Sequence, residues 1–295
     1  MLNNNSSFSF SRQLVFFLCW WLFGFAIAIL IIGMITAKLG IESRSVLYVT
    51  TIIQDILVFI SPVATTAIFI SRQPLSLLQL NRSPKLSSII LTITAILASI
   101  PAMNTIIEWN GAMSLPESLR AVEDWMRQSE QQSAMMINRM LDGKSIGNLI
   151  TGILIIGLLT GLSEELFFRG MLQRLLINRP LNVHLAIWIT AIIFSAVHLQ
   201  FYGFIPRLLL GAFFGYLAWW SHSLWLPIMA HALNNSLVVV SQWFINNGHL
   251  SSDINKIGVG DSHSDFMLVS ISAVVTAISV YLLYRINRTN QISCG

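Results

Sequence analysis

Long apolar stretches separated by short polar ones recur along the whole chain. None of them alternates with period two, as bilayer-spanning strands do, and each lies near the roughly 20 residues a helix needs to cross the hydrocarbon. The pattern predicts spans near 14–37, 46–71, 87–107, 147–168, 181–199, 205–220, 224–245 and 266–284. The expected fold is therefore all-α, a polytopic membrane helix bundle of about eight transmembrane helices with one amphipathic surface helix. That surface helix is expected in the only long polar segment, which Ser114-Leu-Pro-Glu117 opens as N-cap, first-turn proline and capping-box glutamate. Leu119, Val122, Trp125, Met126, Met136 and Met140 then follow at helical spacing. A surface helix packed on the bundle and a lid over a substrate path both suit it. The chain divides into a tail 1–13, three spans 14–110, the outer segment 111–145, a core of four spans 146–245, and a final loop, span and tail 246–295. The first apolar run is too long for a signal-peptide core and lacks a small-residue cleavage site, so it reads as a retained span.

Composition removes the soluble alternatives. Hydrophobic residues make up 55% of the chain and charged ones 10%, with a mean hydropathy of +0.70, whereas soluble domains carry about 25% charge. The net charge of +4 and pI of 9.3 would suggest nucleic acid on a soluble protein, but here Lys and Arg sit between apolar blocks, so no nucleic-acid partner is expected. Counted on alternate sides, Arg12, Arg72, Arg82, Lys85, Arg169, Arg174, Arg179, Arg285 and Arg288 share one face, while the other face is diluted by acids. By the positive-inside rule both termini face the cytoplasm. Cys19 and Cys294 offer neither a disulfide framework nor a CxxC metal site.

Ionisable groups inside spans cost roughly 2.5–3.5 kcal/mol each and so mark functional candidates. They are Asp55, Glu164 and Glu165 with Arg169, His198, Arg207, and His231 with Asn234 and Asn235. In Glu164-Glu165-Leu-Phe-Phe-Arg169 the second glutamate and the arginine are an i,i+4 pair able to neutralise each other, which leaves Glu164 about 100° round the helix. A lone carboxylate there is a candidate acid–base group; a buried clamp with a spare glutamate is the plainer account. His198, at the end of Phe194-Ser-Ala-Val-His198, would on its own pass for a hydrogen-bonded core residue. With the reversal near Pro180–Leu181, however, Glu164 and His198 lie at one depth, about 25 Å from the tip. His231 and Asn235 share a helix face and could equally be interhelical glue. Gly211 and Gly215 read as close helix packing, and Asp55 as a structural or gating hydrogen-bonding group.

The ordered motifs EExxxR, FxxxH and HxxxN in an eight-span chain resemble the CPBP family, the CAAX prenyl endopeptidases and bacteriocin-processing (Abi) membrane proteins. The resemblance covers about 147–245 and includes the Arg207/Gly211/Gly215 segment. It implies an intramembrane glutamic protease of the bacterial cell membrane, with Glu164, His198, His231 and Asn235 catalytic and Glu165 and Arg169 supporting. Its partners would be the lipid bilayer and a membrane-associated peptide or protein substrate. Glu164 with His198 would activate water, and His231 with Asn235 would stabilise the oxyanion. No cofactor is expected, because no HExxH-like pair is present and no second carboxylate is evidently placed to orient the histidines. A divalent metal held by the same ligands stays open as the alternative. Two readings of other classes also stay open: a non-proteolytic scaffold or bacteriocin self-immunity protein of this fold, and a proton-coupled transporter.

Overall fold

The computed structural model describes residues 9–41, 43–178, 181–260 and 262–292. Pro180, where the sequence places a reversal, lies outside them, as do Glu42, Arg179, Asp261 and Cys294. All regular structure among the described residues is helical. The principal helices are α1 (Phe10–Leu39), α2 (Arg44–Ile70), α3 (Leu86–Gly111), α4 (Arg120–Leu141), α5 (Ile146–Ile177), α6 (Val183–Ala196), α7 (Phe204–Ser221), α8 (Trp225–Asn246) and α9 (His263–Ile292). The protein is thus an integral membrane helix bundle.

Every expected span is a helix, but the eight are not alike. Among the described residues six are long and apolar enough to cross a bilayer: α1, α2, α3, α5, α9, and α7 with the turn before it. By contrast α6 has only 14 residues. Asn182 caps its start by accepting from Leu185 N at 2.8 Å, and the chain leaves the helix at Val197–Leu199, where Leu199 takes a left-handed φ of 52°. The eighth, α8, has 22 residues but carries His231, Asn234 and Asn235 near its middle. It is an inner helix, burying Leu226, Ala230, His231 and Ala232.

The middle of α8 packs closely on α5. On α5, Gly152, Gly157 and Gly161 all face α8: a Cβ at Gly152 would stand 2.8 Å from Val239, one at Gly157 would meet Ser236 Oγ, and one at Gly161 would stand 3.0 Å from the Ala232 backbone nitrogen. Their spacing of five and then four residues keeps one face because the backbone widens into a π-helical stretch at Ile153–Leu159, where each turn holds more residues than in an α-helix. Gly161→Ala would set a methyl against backbone that cannot swing away. We expect it to cost about 1–3 kcal/mol and to lower the melting temperature in detergent; an unchanged melting curve would refute so close an approach of α5 and α8.

The start of α8 is fixed from outside the helix. Leu224 N donates to Gln79 O at 3.1 Å, Trp225 Nε1 to Leu80 O at 2.8 Å, and Ser223 Oγ to Arg82 O at 2.5 Å. These bonds hook the α7–α8 turn onto the α2–α3 loop and so set the depth of His231, two turns further on. On the other flank Phe17 of α1, Phe59 of α2 and Phe167 and Phe168 of α5 interlock, with ring centroids 4.9 to 6.2 Å apart, burying the stripe that follows Glu165.

The outer segment departs from its expected cap. Ser114 does not cap α4, which begins at Arg120 after a 3-10 turn at Glu117–Leu119. Glu123 takes over instead: it accepts from Leu115 N at 2.9 Å and pairs with Arg127 at 2.6 Å. The Leu115 bond, then the Arg127 bond, hold the Glu123 carboxyl below the usual glutamate range. This contribution is present above the ordinary glutamate pKa and fades as pH falls through the lowered one. α4 lies against the chain that leads into α7: Ser129 Oγ donates to Leu199 O at 2.9 Å, Trp125 packs on Phe201 at 5.2 Å, and Arg127 stands 4.6 Å over the Tyr202 ring.

Candidate active site

Glu165 organises the buried centre. It is fully buried and forms an ion pair with Arg169 Nη1 at 2.5 Å one turn along α5, as the i,i+4 spacing predicts. The same Oε1 atom also meets His231 Nδ1 of α8 at 2.9 Å. The remaining reach of Arg169 crosses to α7, where Nη2 donates to Gly211 O at 2.8 Å. One turn on, Gln173 Nε2 donates to Gly215 O at 3.1 Å. At Gly215 a Cβ would stand 2.7 Å from Gln173 Oε1, so the missing side chain there leaves room for the α5 amide, whereas at Gly211 a Cβ would meet Ala191 and Phe194 and the glycine serves close packing of α7 on α6. Phe194 and Phe214 enclose the guanidinium at 4.6 and 5.5 Å, and Phe214 stacks on His231 at 5.1 Å.

Glu164, 7% exposed, faces both histidines. Its Oε1 lies 3.9 Å from His198 Nε2 and its Oε2 3.8 Å from His231 Nε2. The far nitrogens of the two rings are both engaged. His198 Nδ1 is 2.7 Å from Phe194 O, and because a carbonyl only accepts, Nδ1 carries the proton and the neutral ring keeps its lone pair on Nε2. His231 Nδ1 likewise donates to the Glu165 carboxylate. His198 stands just beyond the end of α6, not within a span as the sequence suggested, and its ring takes the carbonyl that another helical turn would have used.

Glu164, Glu165, Arg169, His198 and His231 are thus brought together from α5, α8 and the end of α6. Asn235 is placed differently: its amide donates to Ile156 O of α5 at 3.2 Å, while Asn234 Nδ2 lies 3.4 Å from Asn235 Oδ1. Arg207 bonds Gln200, through Nη2 to Oε1 at 2.5 Å, and stands at the α6–α7 connection. Asp55 is a hydrogen-bonding group, as expected: buried in α2, it accepts from Thr160 Oγ1 at 3.0 Å and Ser163 Oγ at 2.9 Å. It thereby ties down the turn of α5 immediately before Glu164. Residue order carries no sign of this link or of the aromatic enclosure, since hydroxyl and phenyl side chains are ordinary in apolar spans.

The premise that no carboxylate orients a histidine is corrected here, since Glu165 orients His231. Such a partner is common at metal sites, and two bare Nε2 atoms with a carboxylate are suitable donors by type. Among the described residues, no group of three or more His, Cys, Asp or Glu is gathered closely enough to count as a metal cluster.

Residues 146–237 match the family model described as type II CAAX prenyl endopeptidase Rce1-like. This is a protease family, consistent with the CPBP resemblance, and the match supports a CAAX-type intramembrane protease fold for the part of the chain that holds all six site residues. No curated protein and no solved structure matches the chain.

Proposed function

We propose, starting from that Rce1-like segment, that the protein is an intramembrane endopeptidase hydrolysing a peptide bond of a membrane-associated protein or peptide through a water activated without metal. The observation that carries this reading is the pair of histidines whose Nδ1 atoms are tied back while their Nε2 atoms flank one buried carboxylate. A water about 2.8 Å from both Glu164 Oε1 and His198 Nε2 forms a triangle on their 3.9 Å separation. Its two hydrogens then point at the carboxylate and the imidazole, and an oxygen lone pair is left for the substrate carbonyl. Glu164 takes one proton as the oxygen attacks carbon, and that proton passes to the departing amine nitrogen as the C–N bond breaks.

The oxyanion is assigned to His231. With Nδ1 donating to Glu165, His231 can also donate from Nε2 only as an imidazolium, which sets two carboxylates, Glu164 and Glu165, against two cations, Arg169 and His231. Asn235 spends one N–H on Ile156 O, so its second is the one available to the oxyanion. Asn235→Ala should lower turnover about a hundred- to a thousandfold with some activity left; full activity would remove it from the site. The localisation we assign is the bacterial inner membrane with both termini cytoplasmic, on the loop charges and short loops.

Chelation separates this mechanism from the metal-dependent one. Turnover of a cleaved membrane peptide should survive exhaustive chelation of the purified protein. Loss of activity, restored by a divalent ion at one equivalent, would replace Glu164 and His198 as water activators with a bound metal.

A further inference from the structure

Away from this site, α3 and α9 run antiparallel, joined at one end by Ser88 and Asn287 and further along by Ser272, whose hydroxyl meets Ala98 O and Ala102 N beside Pro101. Along this pair runs a cavity of about 530 Å³, a size usual for small-ligand sites. Small side chains hollow it out: Ala102 lines it from α3 and Ala273, Ala277 and Val280 from α9, with Met103 beside them. The Ser99 hydroxyl is spent on Ile96 O at 2.8 Å, which leaves Thr276 as the remaining aliphatic hydroxyl of the wall. From Ala273 to Tyr284 the groove follows α9 for about 16 Å.

One end of the groove changes chemistry. Trp220, Tyr281 and Tyr284 line it there, and cations follow immediately. Arg285 Nη1 bonds Tyr281 Oη at 3.1 Å, Arg288 stands 5.7 Å over the Tyr284 ring, and Lys85 Nζ donates to Ile286 O at 3.1 Å. Among the described residues no carboxylate pairs with Arg285 or Arg288. Apolar groove, aromatic belt and unpaired cations therefore succeed one another in the order in which a phospholipid presents acyl chain, glycerol ester and phosphate.

We infer that the α3–α9 groove binds an anionic phospholipid, one acyl chain lying along Ala273–Val280 and the headgroup held by Arg285 and Arg288. A zwitterionic lipid has the chain but not the net charge, so the two arginines select against it. Basic residues near a membrane surface contribute about 1 kcal/mol each toward anionic lipid, so losing both weakens binding about thirtyfold.

The test is native mass spectrometry of the full-length protein in detergent, titrated with phosphatidylglycerol or phosphatidylcholine. Wild type should retain phosphatidylglycerol at about thirtyfold lower concentration than the Arg285→Gln/Arg288→Gln variant, with phosphatidylcholine held equally poorly by both. Ala277→Phe, which fills the groove and leaves the arginines in place, should lose phosphatidylglycerol as well; Ala273→Phe serves the same end if that variant does not fold. Equal retention of the two lipids by wild type would overturn the assignment. So would undiminished phosphatidylglycerol binding with the groove filled, which would mean loose charge attraction at the helix end.

Discussion

Glu164→Gln should reduce peptide-bond cleavage by about a thousandfold, the middle of the range for loss of a general base, while the protein folds as before. The amide has almost the same shape, and Glu164 carries no ion pair at contact distance: its nearest partners are the histidine Nε2 atoms at 3.8 and 3.9 Å. What disappears is the capacity to take a proton from water. The measurement is turnover of a membrane-reconstituted peptide beside a melting curve of the same preparation. Wild-type turnover in Glu164→Gln would end the proposed chemistry, whereas lost turnover with an equally lost fold would mean that Glu164 is structural.

The other large effect belongs to Arg169. Arg169→Leu leaves Glu165 buried with its main cation gone and leaves Gly211 O without its donor, and breaking one side of a buried pair costs about 3–5 kcal/mol. We expect a sharp fall in melting temperature and in folded yield. The double variant Glu165→Leu/Arg169→Leu should recover much of that stability, because an apolar pair of similar volume needs no compensation for buried charge. It should not recover activity, since His231 Nδ1 then has no carboxylate to hold the ring toward Glu164. If Arg169→Leu melts like wild type, the ion pair does not support the centre; if the double variant cleaves normally, Glu165 does not position His231.

Much of this architecture could be read from residue order. Apolar run lengths placed all eight helices, and the i,i+4 rule paired Glu165 with Arg169. Depth arithmetic brought His198 near Glu164, although the ring belongs to a turn and not to the helix. What stayed hidden involves atoms shared between helices. Glu165 serves Arg169 along its own helix and His231 across the bundle through a single oxygen, and helical spacing reveals only the first. Asp55 was legible as a hydrogen-bonding group but its partners were not, because Thr160 and Ser163 are residue types common in any span. Nor could spacing show the five-residue step between Gly152 and Gly157 as one packing face, since a regular 3.6-residue period turns such a step off the face and only the widened backbone restores it. At Ser114 local capping rules failed because the side chain of Glu123 bonded the free Leu115 N–H from eight residues away.

The brevity of α6 also acts on the membrane around it. Fourteen residues span about 21 Å against a hydrocarbon thickness of about 30 Å, and such a deficit is met by pinching the leaflets inward or drawing headgroups down beside the helix, at fractions of a kcal/mol per Å. Because His198 sits at the tip of that short helix, such a dimple would bring interfacial water toward Glu164. The same deformation energy rises in sterol-thickened or long-chain bilayers and falls in short-chain ones. Lipid chain length thus becomes a handle on how readily this centre is wetted, independent of any residue within it.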